Sequence, residues 1–283
     1  AFWSVNFGKD AEMKVVVFGL GYVGFTASCC IASEGHHIVG VDVSARKIAD
    51  INAGKSPFVE PRVEELLPEA LAATRIEVRD QIGDALVGAD LAVVCVGTPS
   101  APDGSHNMSY VADVTRQIAQ ALVDRSASEE PLTVAYRSTF RPGTVEDLVL
   151  PIFRSILGED TEARVRVVYN PEFLREGSAV QDYFQPPKIV VGTADGEADP
   201  VMEKLHAGID ALTFNVGYRE AEITKFVDNT WHAVKVAFAN EVGRTCLSLG
   251  LSAKQVHQIF VSDTKLNISP YYTRPGGAFG GSC

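Results

Sequence analysis

Sulfur is scarce in this chain: three methionines and five cysteines in 283 residues. The cysteines, Cys29, Cys30, Cys95, Cys246 and Cys283, are odd in number and follow neither metal-ligand nor disulfide-framework spacing, so no metal site is expected. A stapled secreted scaffold is excluded, and a reducing, cytoplasmic setting is expected. Four of the five sit in apolar context and read as core residues. No apolar run approaches the ~20 residues of a membrane span, so no membrane partner is expected. Positive charge is also in deficit, 25 Lys and Arg against 36 Asp and Glu, for a net charge of -11. That balance argues against nucleic acid, and an anionic ligand would have to be met by local donors. The opening stretch AFWSVNFGKDAE has neither an h-region nor a cleavage site; residues 1–12 read as a leader or a disordered arm.

What is present is alternation. Lys14 to Phe18 is a β-branched run that enters Gly19-Leu-Gly-Tyr-Val-Gly24 and then a helical stretch to about Ser33. A second strand, His37 to Val41, ends at Asp42. In a dinucleotide fingerprint Gly19 makes the tight turn, Gly21 lets the backbone approach the pyrophosphate, and Gly24 allows close helix packing. Asp42 would accept from the ribose hydroxyls and repel a 2′-phosphate, which favours NAD over NADP. Lys47 either helps at the adenosine end or faces solvent. Further strands are expected at 76–79, 91–96, 132–137, 165–169 and 188–192, the last before a long helix. Thr98, in the break after 91–96, either meets the cofactor or caps the turn. The pattern predicts an α/β fold: a doubly wound, Rossmann-like parallel sheet over 13–217, then a long central helix and small helical domain over 218–283.

The long helix, from about Glu220 to Leu249, has two faces at about 100° per residue. Ile223, Val227, Trp231, Val234, Phe238 and Val242 share one; Lys225, Asn229, His232 and Asn240 share the other. Asparagine and histidine, interleaved with alanine and valine, read as the lining of a cavity; a wet face with chance asparagines is the plainer alternative. Ser252 is expected to cap a shorter helix through Val261. The closing stretch, YYTRPGGAFGGSC, carries an arginine fork at Arg274, glycines that admit close backbone approach, and the thiol of Cys283. Tyr271 and Tyr272 read first as packing residues, and Cys283 is either a nucleophile or incidental.

A thiol beside an NAD site has a chemical logic. Hydride loss turns an alcohol into an aldehyde; a thiolate can capture it, a second hydride loss gives a thioester, and water releases a carboxylate. Lys225 and Asn229 suit the oxyanions. Glu172 and Glu176 in NPEFLREG are candidates for the hydrolytic step, with Thr139 to position water.

FGLGYVG, GVDVS, CVGTPS, RSTFRPGTV, NPEFLREG, AEITKFVDNTWHAVKVAFANE and YYTRPGGAFGGSC together resemble the UDP-glucose/GDP-mannose dehydrogenases. The last two motifs are similar to the GDP-mannose branch, whose oxidation serves alginate synthesis. The resemblance implies Cys283 as nucleophile, Lys225 and Asn229 at the reacting carbon, and Glu176 with Glu172 for hydrolysis. Tyr22, Val23, Asp42, Lys47, Thr98 and Thr139 would contact NAD. His232, Asn240, Tyr271, Tyr272, Arg274 and Gly277, with Glu176, Lys225 and Asn229, would line the nucleotide-sugar site. It also implies a homodimer through the long helix. The family continues past its GGSC motif into a Lys-Asp pair and a nucleotide-holding domain, so these residues alone are expected to bind NAD but to turn over little nucleotide sugar. Phe140, Arg141, Phe184 and Gln185 depart from the family pattern. Three rival readings stand beside this one: a UDP-sugar dehydrogenase, a β-hydroxyacid dehydrogenase that needs no thiol, and a non-catalytic module that retains cofactor binding and dimerisation.

Overall fold

The computed structural model describes residues 12–125, 129–265 and 268. Their elements run β1 (Lys14–Phe18), α1 (Tyr22–Ser33), β2 (His37–Val41), α2 (Ala45–Asn52), α3 (Val63–Ala72), β3 (Ile76–Arg79) and β4 (Leu91–Val94). There follow α4 (Ser109–Ala121), β5 (Leu132–Tyr136), α5 (Leu150–Leu157), α6 (Thr161–Arg164), β6 (Val165–Tyr169), α7 (Ala179–Phe184) and β7 (Ile189–Thr193). The chain closes with α8 (Pro200–Leu205), β8 (Thr213–Gly217), α9 (Tyr218–Ser248) and α10 (Ala253–Val261). It divides into two compact units, Ala1–Phe226 and Val227–Cys283.

The first unit is built on one eight-stranded sheet of order β3-β2-β1-β4-β5-β6-β7-β8. From β3 to β6 every neighbouring pair is parallel, with Phe18 beside both Val41 and Val94. Consecutive strand residues point to opposite faces, and the β-branched runs fill both. Val16, Val94 and Tyr136 pack with Val111 and Ile118 of α4 and Phe153 of α5. On the other face Val15, Val17 and Val93 pack with Phe25 and Ile31 of α1 and Leu67 of α3. Burying a side chain such as Ile31 or Phe153 contributes about 1.5–3 kcal/mol.

Two features depart from the expected pattern. β7 runs antiparallel to β6, through the pair Tyr169 and Gly192. After it comes β8, a strand the apolar pattern does not announce, paired in parallel with β7. β8 is a sheet edge, and Phe214 is about half exposed, so it never needed a continuous apolar run. Sequence alternation therefore ends one strand later than 188–192.

The departures at 140–141 have a partial account. Phe140 is fully buried, its ring 5.5 Å from Tyr136 and 5.2 Å from Tyr169, so it is a core aromatic. Nothing in the structure explains Arg141.

In the second unit, Ser252 accepts from the Gln255 N–H and caps α10 as expected. Phe238 of α9 lies 5.6 Å from Phe260 of α10. Among the described residues no helix is long and apolar enough to cross a membrane.

Candidate active site

Parallel strands with one common direction place the loops after β1, β2, β4, β5 and β6 at one end of the sheet. The order reverses between β1 and β4, which is where open α/β sheets take their ligands. The glycine turn lies there. Gly19 has φ +89°, and a Cβ on it would lie 2.9 Å from the Cys95 carbonyl oxygen. A Cβ on Gly24 would lie 2.0 Å from the Gly19 oxygen, so only glycine brings α1 this close to the turn. Gly21 differs: a Cβ there would meet nothing within 4 Å. It is the N-cap of α1 and supplies no side-chain cap, which leaves open space before the N–H groups of a helix terminus. These features fit a dinucleotide pyrophosphate.

Asp42, 7% exposed, completes the turn. Its Oδ2 accepts from the Leu20 N–H at 2.7 Å and from Lys47 Nζ at 2.9 Å, and its Oδ1 accepts from the Ser44 N–H at 2.9 Å. Lys47 thus partners Asp42 instead of standing alone in solvent. A carboxylate has about four acceptor positions, so capacity remains for a ribose hydroxyl. Val23 and Thr98 are partly buried beside the same end of the sheet. Tyr22 opens α1, and its hydroxyl is already committed, donating to Glu60.

The loop after β5 holds Thr139, partly buried between two pinned neighbours. Ser138 Oγ donates to the Val96 carbonyl at 2.6 Å, and Tyr169 Oη donates to the Ser138 carbonyl at 3.2 Å. Farther along, the N–H groups of Gly143 and Val145 donate to Glu222 of α9 at 2.5 and 2.8 Å. Glu222 is fully buried, and burial raises its carboxyl above the usual range against those two hydrogen bonds.

Three residues along α9, Lys225 reaches the loop after β6. Its Nζ donates to Glu172 Oε1 at 2.8 Å and to the Glu172 carbonyl at 2.6 Å, both side chains being 13% exposed. The Leu174 N–H donates to Glu172 Oε2 at 2.7 Å. Both carboxylate oxygens are therefore engaged, and in this arrangement Glu172 orients Lys225. Two ammonium groups approach the Phe173 ring, Lys188 at 4.7 Å and Lys225 at 5.6 Å from its centroid. Beneath the loop is a small cleft of about 30 Å³ whose lining includes Arg137, Asn170, Glu172 and His206. Burial, then the Arg137 guanidinium, lowers His206 to about 4.

Glu176 is placed apart from Glu172: it is exposed. Asn229, His232 and Asn240 lie on the part of α9 within the second unit, all exposed. Tyr271, Tyr272, Arg274, Gly277 and Cys283 lie outside the described residues. Of the remaining thiols, burial pushes Cys29 and Cys95 up to about 12 and Cys30 well above its ordinary value, so these three stay protonated at neutral pH. Among the described residues no cluster could hold a metal ion.

Residues 13–210 match the NAD binding domain of the UDP-glucose/GDP-mannose dehydrogenase family, and residues 219–283 match its central domain. The chain belongs to the UDP-glucose/GDP-mannose dehydrogenase family. It is 42% identical over 271 residues to GDP-mannose 6-dehydrogenase of Azotobacter vinelandii, covering 96% of this chain and 62% of that one. UDP-glucose 6-dehydrogenase of Bacillus subtilis is 32% identical over 271 residues, covering 96% and 59%. The crystal structure of a ternary complex of GDP-mannose dehydrogenase from Pseudomonas aeruginosa superposes with a TM-score of 0.90 at 40% identity, covering 96% of this chain and 62% of that one. The chain spans about three-fifths of the length of the curated relatives it matches.

Two carboxylates of this family member escaped the sequence reading. Glu222 stands one turn before Lys225 in AEITK, a buried acid on an otherwise apolar shoulder, and that placement was a usable signal. Glu60 sits in a loop rich in proline and charge, where nothing local marks it as buried.

Proposed function

We propose that the chain supplies the cofactor site and the reacting groups for NAD-dependent, four-electron oxidation of a nucleotide sugar at its C6 alcohol, with GDP-mannose as substrate and GDP-mannuronate as product. The observation that carries this reading is the hold of Glu172 on Lys225 at the end of a sheet whose glycine turn and Asp42 suit NAD. NAD held at the glycine turn and Asp42 would supply the hydride acceptor for each of the two oxidations. Cys283, as thiolate, would add to the aldehyde; the second oxidation leaves a thioester, and water cleaves it to carboxylate and thiol. The balance is one alcohol, two NAD and one water to one carboxylate and two NADH, with protons released.

The chain's other residues divide the labour. Lys225, fixed by Glu172, faces each oxyanion with its ammonium, joined by Asn229 four residues along α9; one such donor contributes about 3 kcal/mol in the transition state. Glu176, exposed, is the carboxylate available to activate water, with Thr139 positioning it. His232, Asn240, Tyr271, Tyr272, Arg274 and Gly277 would bind the nucleotide sugar. Identities of 42% to a GDP-mannose enzyme against 32% to a UDP-glucose enzyme support the guanine-nucleotide substrate.

A homodimer belongs to the same proposal. Val227, Trp231, Val234 and Phe238 recur at helical spacing along one face of α9 and are about half exposed, a stripe suited to a second copy of itself.

The test is stoichiometry, in this chain and in this chain fused to the carboxyl-terminal region of a curated relative. Two NADH per GDP-mannose, lost in Cys283→Ser and absent with UDP-glucose, is the expected result. One NADH with the serine variant active would favour the β-hydroxyacid chemistry. No oxidation in the fused protein would favour a non-catalytic module.

A further inference from the structure

Between α2 and α3 the chain buries one carboxylate, Glu60, to 2% exposure. An isolated charge at such depth is costly unless donors surround it. Here three do. Glu60 Oε2 accepts from the Tyr22 hydroxyl and from the Gly177 N–H, the latter at 2.8 Å, while Oε1 accepts from the Ala179 N–H at 2.8 Å. The Gly177 N–H also lies 3.3 Å from Tyr22 Oη, so acid, phenol and amide form one closed set. Burial, then the hydrogen bond to Glu60, raises the Tyr22 phenol above its ordinary value and keeps it a donor.

The three donors come from two places with different work. Tyr22 is the first residue of α1, the helix whose open N-terminus suits the pyrophosphate. Gly177 and Ala179 follow Glu176 and lead into α7, and Gly177 has φ +84°, a left-handed turn that glycine takes without strain. The Glu60 loop is fastened to α1 a second time: Phe58 lies 6.2 Å from the Tyr22 ring and 6.5 Å from Phe25. Whatever restrains Tyr22 therefore bears on Gly177 and Ala179, which directly follow Glu176.

We propose that Glu60 is a positioning residue that couples occupancy of the dinucleotide site to the placement of residues 172–179. This inference rests on the reading that the glycine turn binds NAD, and it does not need the identity of the sugar. Coupling of this kind is reciprocal: the factor by which NAD steadies the segment is the factor by which the steadied segment strengthens NAD binding.

The experiment is amide hydrogen exchange over residues 172–184, with and without saturating NAD, together with the NAD dissociation constant of each variant. In the wild-type chain NAD slows exchange at Gly177 and Ala179 by about fivefold or more. Tyr22→Phe removes the phenolic donor but leaves both backbone amides on Glu60. It keeps the slow exchange of the NAD-free chain, loses the further slowing on NAD addition, and weakens NAD by a comparable factor. Glu60→Gln, which has one acceptor oxygen, loses both protections; should that variant fail to fold, Tyr22→Phe alone decides. NAD bound to the wild type with no change at Gly177 and Ala179 would overturn the coupling, as would Tyr22→Phe retaining the full NAD-linked slowing. No NAD binding to the wild type would overturn the cofactor reading and the coupling with it.

Discussion

At the scale of single residues, space and charge decide separately. Gly24 is a question of space. A methyl group placed 2.0 Å from the Gly19 oxygen cannot be absorbed by rotating a side chain, because its neighbour is main chain. Gly24→Ala is expected to lose about 1–3 kcal/mol of stability, as overpacking does, and to abolish NAD binding. Denaturant unfolding and a fluorescence titration with NAD check the two effects; unchanged NAD affinity would contradict the reading of the turn.

Glu34 is a question of charge. Burial, opposed by a hydrogen bond from Tyr183 Oη at 3.1 Å, raises its carboxyl to about 7. The unfolded chain releases this proton near pH 4.5 and the folded chain only near 7. Stability is therefore lost as pH rises through that interval, since the unfolded state gains by ionising first. Glu34→Gln, uncharged throughout, should match the wild type below pH 4 and become progressively the more stable protein up to pH 7, with a constant advantage above. Urea midpoints at pH 4, 5.5 and 8 test this, and parallel profiles would refute it.

At the scale of elements, α9 carries two kinds of information. Its first two turns are gripped by the sheet unit: Tyr218 Oη donates to the Val167 carbonyl at 2.8 Å, and Glu222 and Lys225 reach the loops after β5 and β6. Beyond them, the stripe from Val227 to Phe238 is about half exposed. If a second copy covers that stripe, Val234→Glu should convert dimers to monomers while leaving helix content unchanged, since glutamate is a good helix former. Sedimentation velocity together with circular dichroism would show it. A wild-type monomer at micromolar concentration would remove the premise.

The elements also show what sequence can and cannot carry. The glycine turn and Asp42 could be picked out because a strand, a tight turn and a helix need given residue types at short, fixed spacing; the bond between Lys225 and Glu172, 53 residues apart, could not. β1, β2 and β4 were legible as short apolar runs because both faces of those strands are buried. β8 was not, because an exposed edge strand has no apolar pattern to display. Glu60 was not, because its partners are 38, 117 and 119 residues away and no local spacing records them. Glu172 and Glu176 looked equivalent four residues apart; only the fold gives one to Lys225 and leaves the other exposed.

At the scale of the whole molecule, the proposed cofactor contacts all fall within the first unit, from Gly19 to Thr139. A ligand that binds only the native state stabilises it by RT ln(1 + [L]/Kd), about 2.7 kcal/mol at a hundredfold excess over Kd. NAD should therefore raise the unfolding temperature of residues 13–226 whether or not a sugar nucleotide is present. Scanning calorimetry of the chain with NAD alone, with GDP-mannose alone and with both would show the order. A shift with GDP-mannose but none with NAD would contradict the assignment of the glycine turn.

The opening turns of α9 have a mechanical consequence. Glu222 and Lys225 grasp two different loops from a single rigid rod, and each residue of that rod advances the azimuth by about 100°. Adding or deleting one residue between Gly217 and Glu222 would swing both grips away at once, and no side-chain rotation could recover the pair. The interval from the end of β8 to Lys225 is thus fixed like the distance between two teeth on a key, even where the intervening residues are free to change.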